Sequence, residues 1–142
     1  MPDSPRHSVS VAGVVVDDEG RVLVVRRRDN GEWQPPGGVL ELNETIEDGL
    51  RREVQEETGI EISPGPLTGV YKNMRLGVIA LVFRCAPRGG HLQLSDETQQ
   101  VLWMSLDQVE RAMSPAFAVR ILDAFNETAH AELRSHDGSG NL

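Results

Sequence analysis

A single cysteine, Cys85, among 142 residues excludes an internal disulfide framework and leaves a thiolate zinc site without partners. No stretch approaches the roughly 18 to 20 consecutive apolar residues of a membrane span. Met1 to Ser8 is polar and lacks the apolar centre of a secretion signal, so a reducing cytoplasm is the expected compartment. Positive charge is scarce. Fourteen bases against 22 acids leave a net charge of −8, which argues against a protein that binds nucleic-acid backbones. Lysine is nearly absent, with Lys72 alone beside thirteen arginines. Arginine suits bidentate phosphate contacts, but genomic base composition gives the same bias and is the preferred explanation. There are no internal repeats.

What is present is ordinary for a soluble globular chain: 39% hydrophobic and 25% charged residues, enough for one domain, placed at residues 1–134. Ser8 to Val16 and Arg21 to Arg27 are rich in β-branched residues, and Asp17-Asp18-Glu19-Gly20 between them predicts a hairpin. Trp33-Gln34-Pro35-Pro36-Gly37-Gly38 is a constrained loop. Glu44 to Thr58 predicts a helix, with Asn43 as its N-cap and Gly59 as its stop. Pro64-Gly65-Pro66 is a breaker before strands at Leu67 to Asn73 and Leu76 to Cys85. Val101 to Met104 reads as a strand, Leu106 to Met113 as a short helix, and Ala116 to about Leu133 as an amphipathic helix. Ser135 to Leu142 is polar and glycine-rich and is expected to be disordered. The order predicts an α/β fold, a mixed sheet flanked by helices.

The acids are concentrated. Glu41 to Glu61 holds eight of them against Arg51 and Arg52, a local charge of −6. At about 100° per residue, Ile46, Leu50 and Val54 share a stripe with Glu53 and Glu57, and Glu56 lies at its border. The core-facing stripe of this helix is therefore apolar in its first turns and acidic in its last. Crowded carboxylates raise one another's pKa unless a cation intervenes, and oxygen-only ligands suit Mg²⁺ or Mn²⁺. The plainer alternative is a solvated acidic helix end.

Gly38, five residues, Glu44, seven residues, Arg52-Glu53-Val54, Gln55, Glu56-Glu57, Thr58 and Gly59-Ile60 match the Nudix box at every specified position. The strand pair before it, Trp33 and Pro36-Gly37-Gly38 extend the likeness over residues 8 to 126. The chain thus resembles the Nudix hydrolase superfamily in its small, MutT-like form. The resemblance implies an α/β/α sandwich around a mixed sheet, with the box as loop-helix-loop. It also implies divalent-metal-dependent hydrolysis of a nucleoside diphosphate linked to another moiety, with Mg²⁺ expected and Mn²⁺ able to replace it.

Carried over by motif position, Glu56 and Glu57 are expected metal ligands, and Glu53 is a ligand or the general base. Arg52 is expected to orient Glu53, Glu44 to anchor the helix start, and the Gly37 carbonyl to complete the metal shell. Glu97, in Ser95-Asp96-Glu97 before Trp103, is a candidate base or ligand, or else part of a surface turn. Glu41 and the Gly38 backbone are candidate contacts near metal or substrate. Arg27, from Arg26-Arg27-Arg28, either holds a phosphate or closes a solvated strand end. Trp33 either stacks on a base or packs beneath the loop. Cys85 reads as a buried strand residue, and the four histidines as incidental.

Asn43 stands where many family members have glycine, and Gly49-Leu50 replaces a common small pair; neither is a catalytic position. The Ser95-Asp96-Glu97 loop resembles members that hydrolyse oxidised purine triphosphates, yet Met113 to Phe117 offers no base-reading carboxylate. The expected substrate is a nucleoside triphosphate or modified triphosphate, giving monophosphate and pyrophosphate. ADP-ribose or a sugar nucleotide is the alternative, and a non-catalytic nucleotide sensor a further one. An isomerase of prenyl diphosphates is disfavoured because Cys85 lies late in the chain. The expected partner is a small nucleotide, with neither a nucleic-acid polymer nor a membrane, and a homodimer is left open.

Overall fold

Strand β1 (Ser8–Val15) organises the fold because its alternating side chains feed two cores. The computed structural model describes residues 3–127 and 129–142. Val11 and Val15 pack with Leu50 and Val54 of helix α1 (Ile46–Thr58). Ala12 and Val14 join a second cluster with Val109 of α2 (Leu106–Ala112) and Ile121 of α3 (Pro115–Ala124). Helices thus cover both faces of the strands, as the expected α/β/α arrangement requires.

The strands form two sheets. β4 (Gly37–Val39), β1, β6 (Val78–Gly90), β5 (Ile60–Asn73) and β8 (Glu132–His136) lie side by side in that order. The sheet is mixed: β1 runs parallel to β6 and antiparallel to β4, and β5 runs antiparallel to β6 and parallel to β8. β2 (Val22–Arg27) lies between β3 (Trp33–Gln34) and β7 (Thr98–Met104) in an antiparallel three-stranded sheet. The predicted β1–β2 hairpin is therefore reduced to one bridge, Val16 to Val22. Both edges of β1 are taken by β4 and β6, so β2 turns away to other partners.

Local corrections have local causes. Helix α1 starts at Ile46, not Glu44, and its N-cap is Thr45 rather than Asn43: the Thr45 hydroxyl accepts the Asp48 N–H at 3.1 Å. Ile46 is 43% exposed because it is the first helical residue, one turn short of the core that Leu50 reaches. Gly59 ends the helix at φ +79°, its N–H bonded to the Gln55 carbonyl. Pro64-Gly65-Pro66 does not divide two strands; it is absorbed as a register shift within β5.

Helix α3 stops at Ala124, short of the predicted Leu133. The chain then returns as β8, pairing Glu132–His136 with Gly69 to Asn73 of β5. From Ser135, where composition alone suggests disorder, the structure places the end of β8 and a hydrogen-bonded turn. His136 is buried, the Leu142 N–H donates to the Ser135 carbonyl at 3.0 Å, and Asp137 Oδ1 accepts the Ser139 and Gly140 N–H groups. Sheet pairing and these turn bonds supply what the polar, glycine-rich composition conceals. No helix among the described residues is long and apolar enough to cross a membrane.

Candidate active site

Pairing of β4 with β1 sets Gly38 opposite Val11 and Gly37 opposite Ala12, which lays the glycine loop against the last turns of α1. The Gly37 N–H donates to Glu57 Oε1 at 2.7 Å. A side chain at Gly37 would run into the Val11 carbonyl and the Ala12 backbone, so only glycine allows this approach, and one at Gly38 would displace the Glu53 carboxylate. Arg52 ties the acids together. Its Nε and Nη2 grip Glu44 at 2.9 and 2.6 Å, and its Nη1 donates to Glu53 at 2.9 Å and Glu56 at 3.2 Å. Glu44 also accepts the Glu41 N–H at 2.9 Å, which fastens the loop to the helix start.

These surroundings separate the glutamates electrostatically. Arg52, and next the Glu41 N–H, hold the Glu44 carboxyl down at about 2. Glu57 is 5% exposed, and burial pushes its carboxyl up to about 7, with Glu53 and Glu97 adding repulsion against the Gly37 bond. Burial raises Glu53 as well, with Arg52 pulling the other way. Buried Glu57 and half-buried Glu53 thus lack enough positive charge for both to ionise freely.

Glu53, Glu56 and Glu57 share one cleft with Ser95, Asp96 and Glu97, so the structure brings the loop acid to the box acids. Arg27 pairs with Asp29 through Nε and Nη2 at 3.0 and 2.9 Å. It also lines the adjoining cleft with Asp96 and Glu97. Glu41 is exposed and reaches Arg52 only at 4.0 Å. Trp33 is half-buried against the larger apolar cluster with the Arg26 guanidinium 5.7 Å from its ring centre. Cys85 is buried and free, its thiol pushed up to about 12 by burial.

Beside the cleft lies a cavity of about 240 Å³ whose walls include Arg27, Gly37, Gly38, Phe117, Arg120 and His136. Arg120 and His136 are the residues that sequence reasoning missed. Arg120 follows Ala116 and precedes Ala124 at four-residue spacing, on the core face of α3, and that charge among small residues was the available signal. His136 is not incidental: it is 1% exposed and its Nε2 lies 3.1 Å from Arg120 Nη2. It escaped notice because the strand that carries it was not foreseen.

The donor set fits a hard divalent cation: carboxylate oxygens, with buried Glu57 and half-buried Glu53 pushed toward protonation, beside the glycine loop. Among the described residues no three His, Cys, Asp or Glu side chains stand ready to hold one ion. A shared ion therefore asks for side-chain rotation, for which Glu56 and Glu97 are exposed.

Comparison with known proteins points in the same direction. A family model described as the NUDIX domain matches residues 6–125. A MutT-like protein of Streptomyces ambofaciens is 55% identical over 94% of this chain and 86% of its own length. An ADP-ribose pyrophosphatase of Methanocaldococcus jannaschii is 32% identical over 73% of this chain and 65% of its own. The solved MutT protein of Methanosarcina mazei Go1 superposes with a TM-score of 0.75 at 30% identity, covering 90% of this chain and 99% of that one. With the glycine loop seated on the glutamate helix and the family match running through nearly the whole fold, the chain belongs to the Nudix family and is a Nudix hydrolase.

Proposed function

We propose that the chain hydrolyses the phosphoanhydride bond of a nucleoside diphosphate linked to another moiety, with a nucleoside triphosphate or modified triphosphate as substrate and Mg²⁺, or Mn²⁺ in its place, as the ion. The observation that carries this reading is Glu57, a buried carboxyl pushed up to about 7 beside Glu53 in a cleft it shares with Glu97. Nudix hydrolases use divalent metal ions and act on small nucleotides.

In this reading Glu53, Glu56, Glu57 and the Gly37 carbonyl hold the ion. When bound, the ion neutralises phosphate charge and acidifies water at the site. Arg52 fixes the Glu53 carboxylate, and Glu53 or Glu97 takes the proton as the water oxygen bonds to phosphorus. The bond from that phosphorus to the bridging oxygen breaks, and the bridging oxygen leaves on the other phosphate. Arg27 gives up part of its Asp29 pairing to a substrate phosphate. Orientation and charge placement carry most of the rate enhancement.

Hydrolysis of ADP-ribose is the second reading, supported by the M. jannaschii relative. A panel of nucleoside triphosphates, oxidised purine triphosphates, ADP-ribose, sugar nucleotides and dinucleoside polyphosphates, assayed with added Mg²⁺ or Mn²⁺ and with products identified by mass, separates the two. Monophosphate and pyrophosphate from a triphosphate support the first reading. No turnover of any member overturns both.

A further inference from the structure

Arg120 is a buried cation without an anion. It is 8% exposed, and among the described residues no carboxylate pairs with it. The nearest acid on its own helix, Asp123, is engaged by Arg134 at 2.7 and 2.8 Å and by the Tyr71 hydroxyl at 2.7 Å. The Arg120 guanidinium lies instead between two rings, 5.1 Å from the centre of Tyr71 and 4.7 Å from that of Phe117. Its Nε has no hydrogen-bond acceptor among the described residues. Burial holds its pKa down at about 10.

Its one polar neighbour does not resolve this. His136 Nε2 faces Arg120 Nη2 at 3.1 Å, while His136 Nδ1 faces the Gly138 N–H at 3.0 Å. A neutral imidazole accepts at only one ring nitrogen, so one of these donors is left over whichever tautomer is present. Burial and Arg120 both disfavour the charged ring, which would accept at neither. The corner therefore has donors in excess, at least two acceptors short of satisfaction with the Arg120 Nε counted, and it opens on the cavity that Gly37 and Gly38 also line. Such a corner is expensive to maintain unless a ligand supplies the acceptor.

We infer that Arg120, supported by His136, is a specificity-determining residue that reads the acceptor edge of the substrate's base and prefers a 6-oxopurine to a 6-aminopurine. This rests on the glutamate cleft taking the diphosphate. Gly37 and Gly38 touch the cleft glutamates and also line the cavity, so a diphosphate held there directs the base toward Phe117 and Arg120. A guanidinium matches the paired O6 and N7 acceptors of an oxopurine. Adenine would set its amino donor against a donor and leave the cation unsatisfied.

The test compares ITP with ATP, whose bases differ only in the 6-oxo against the 6-amino group and the accompanying N1 proton. Wild-type protein is expected to prefer ITP at least tenfold in kcat/KM. Arg120→Met should bring the ratio close to one without lowering Tm, because removing an unpaired buried cation relieves the fold. Arg120→Lys should keep part of the preference. The α,β-methylene analogues of IDP and ADP, read by thermal shift, give the same comparison without turnover and keep the diphosphate that places the base. A wild-type ratio near or below one overturns the inference, as does an unchanged ratio in Arg120→Met. If that variant does not fold, Arg120→Gln takes its place under the same criteria. Should no nucleotide be hydrolysed while the IDP analogue stabilises the protein more than the ADP analogue through Arg120, the hydrolytic reading fails and this one stands.

Discussion

The Gly37 N–H donates to Glu57 Oε1 at 2.7 Å, the one hydrogen bond this buried carboxylate has among the described residues. A neutral amide can keep that bond while losing the charge. Glu57→Gln is therefore expected to lower kcat at least ~100-fold while Tm holds or rises. Steady-state kinetics beside calorimetry decide it, and near-wild-type turnover would remove Glu57 from the chemistry.

The same carboxyl makes stability depend on pH. Glu57 goes from 4.5 in the unfolded chain to about 7 in the folded one, so the folded state binds more protons between those values. Its contribution is complete below about pH 4.5 and is lost as pH rises through about 7, a change of about 3 kcal/mol. His136, shifted down by burial, acts in the opposite sense near neutrality. The difference in urea stability between wild type and Glu57→Gln, measured with a chelator, isolates the glutamate. That difference should move against wild type as pH rises from 4.5 to 7.5, and added Mg²⁺ should shrink it. A difference that is flat without the ion contradicts the assignment.

Arg52 forks onto Glu44 while also reaching Glu53 and Glu56. A lysine ammonium cannot reproduce the fork. Arg52→Lys is expected to cost about 1 to 2 kcal/mol of stability and to lower kcat roughly 10- to 100-fold, with KM little changed. A rise in KM at constant kcat would instead assign Arg52 to substrate binding.

The box, its helix and the inward Glu53 and Glu57 were legible because a strict motif and a 3.6-residue period coincide between Gly38 and Ile60, whereas Glu56, at the border of that stripe, is exposed. The α1 cap was misplaced because Asn43 and Thr45 are both good caps, and only the Asp48 bond distinguishes them. The division into two sheets was not legible, since apolar alternation in β1 and β2 says nothing about which edges are occupied. β8 was hidden most completely. Its residues follow their partner's alternation weakly, and it is held by long-range pairing with β5 and by Arg134 on Asp123. Arg120 could have been suspected from its four-residue spacing with Ala116 and Ala124, but its lack of an anion needed the structure.

Arg134 supplies another measurable consequence. Asp123 is 4% exposed and depends on Arg134 and the Tyr71 hydroxyl. Arg134→Ala should destabilise the protein by about 2 kcal/mol, below the full cost of stripping a buried pair because the arginine is itself partly exposed. Asp123→Asn in that background should recover part of the loss in a denaturant titration. An unchanged midpoint for Arg134→Ala would mean that β8 adds little to the fold.

The last strand also has a practical side. Gly138 and Ser139 share a surface recess with Arg27 and Phe117, and Asn141 Nδ2 donates to the Pro115 carbonyl at the start of α3. An affinity tag or fusion partner joined after Leu142 would emerge within a few residues of these contacts. It could alter which nucleotide is chosen without touching a single glutamate, so a tag placed ahead of Ser8 is the safer design for any selectivity measurement.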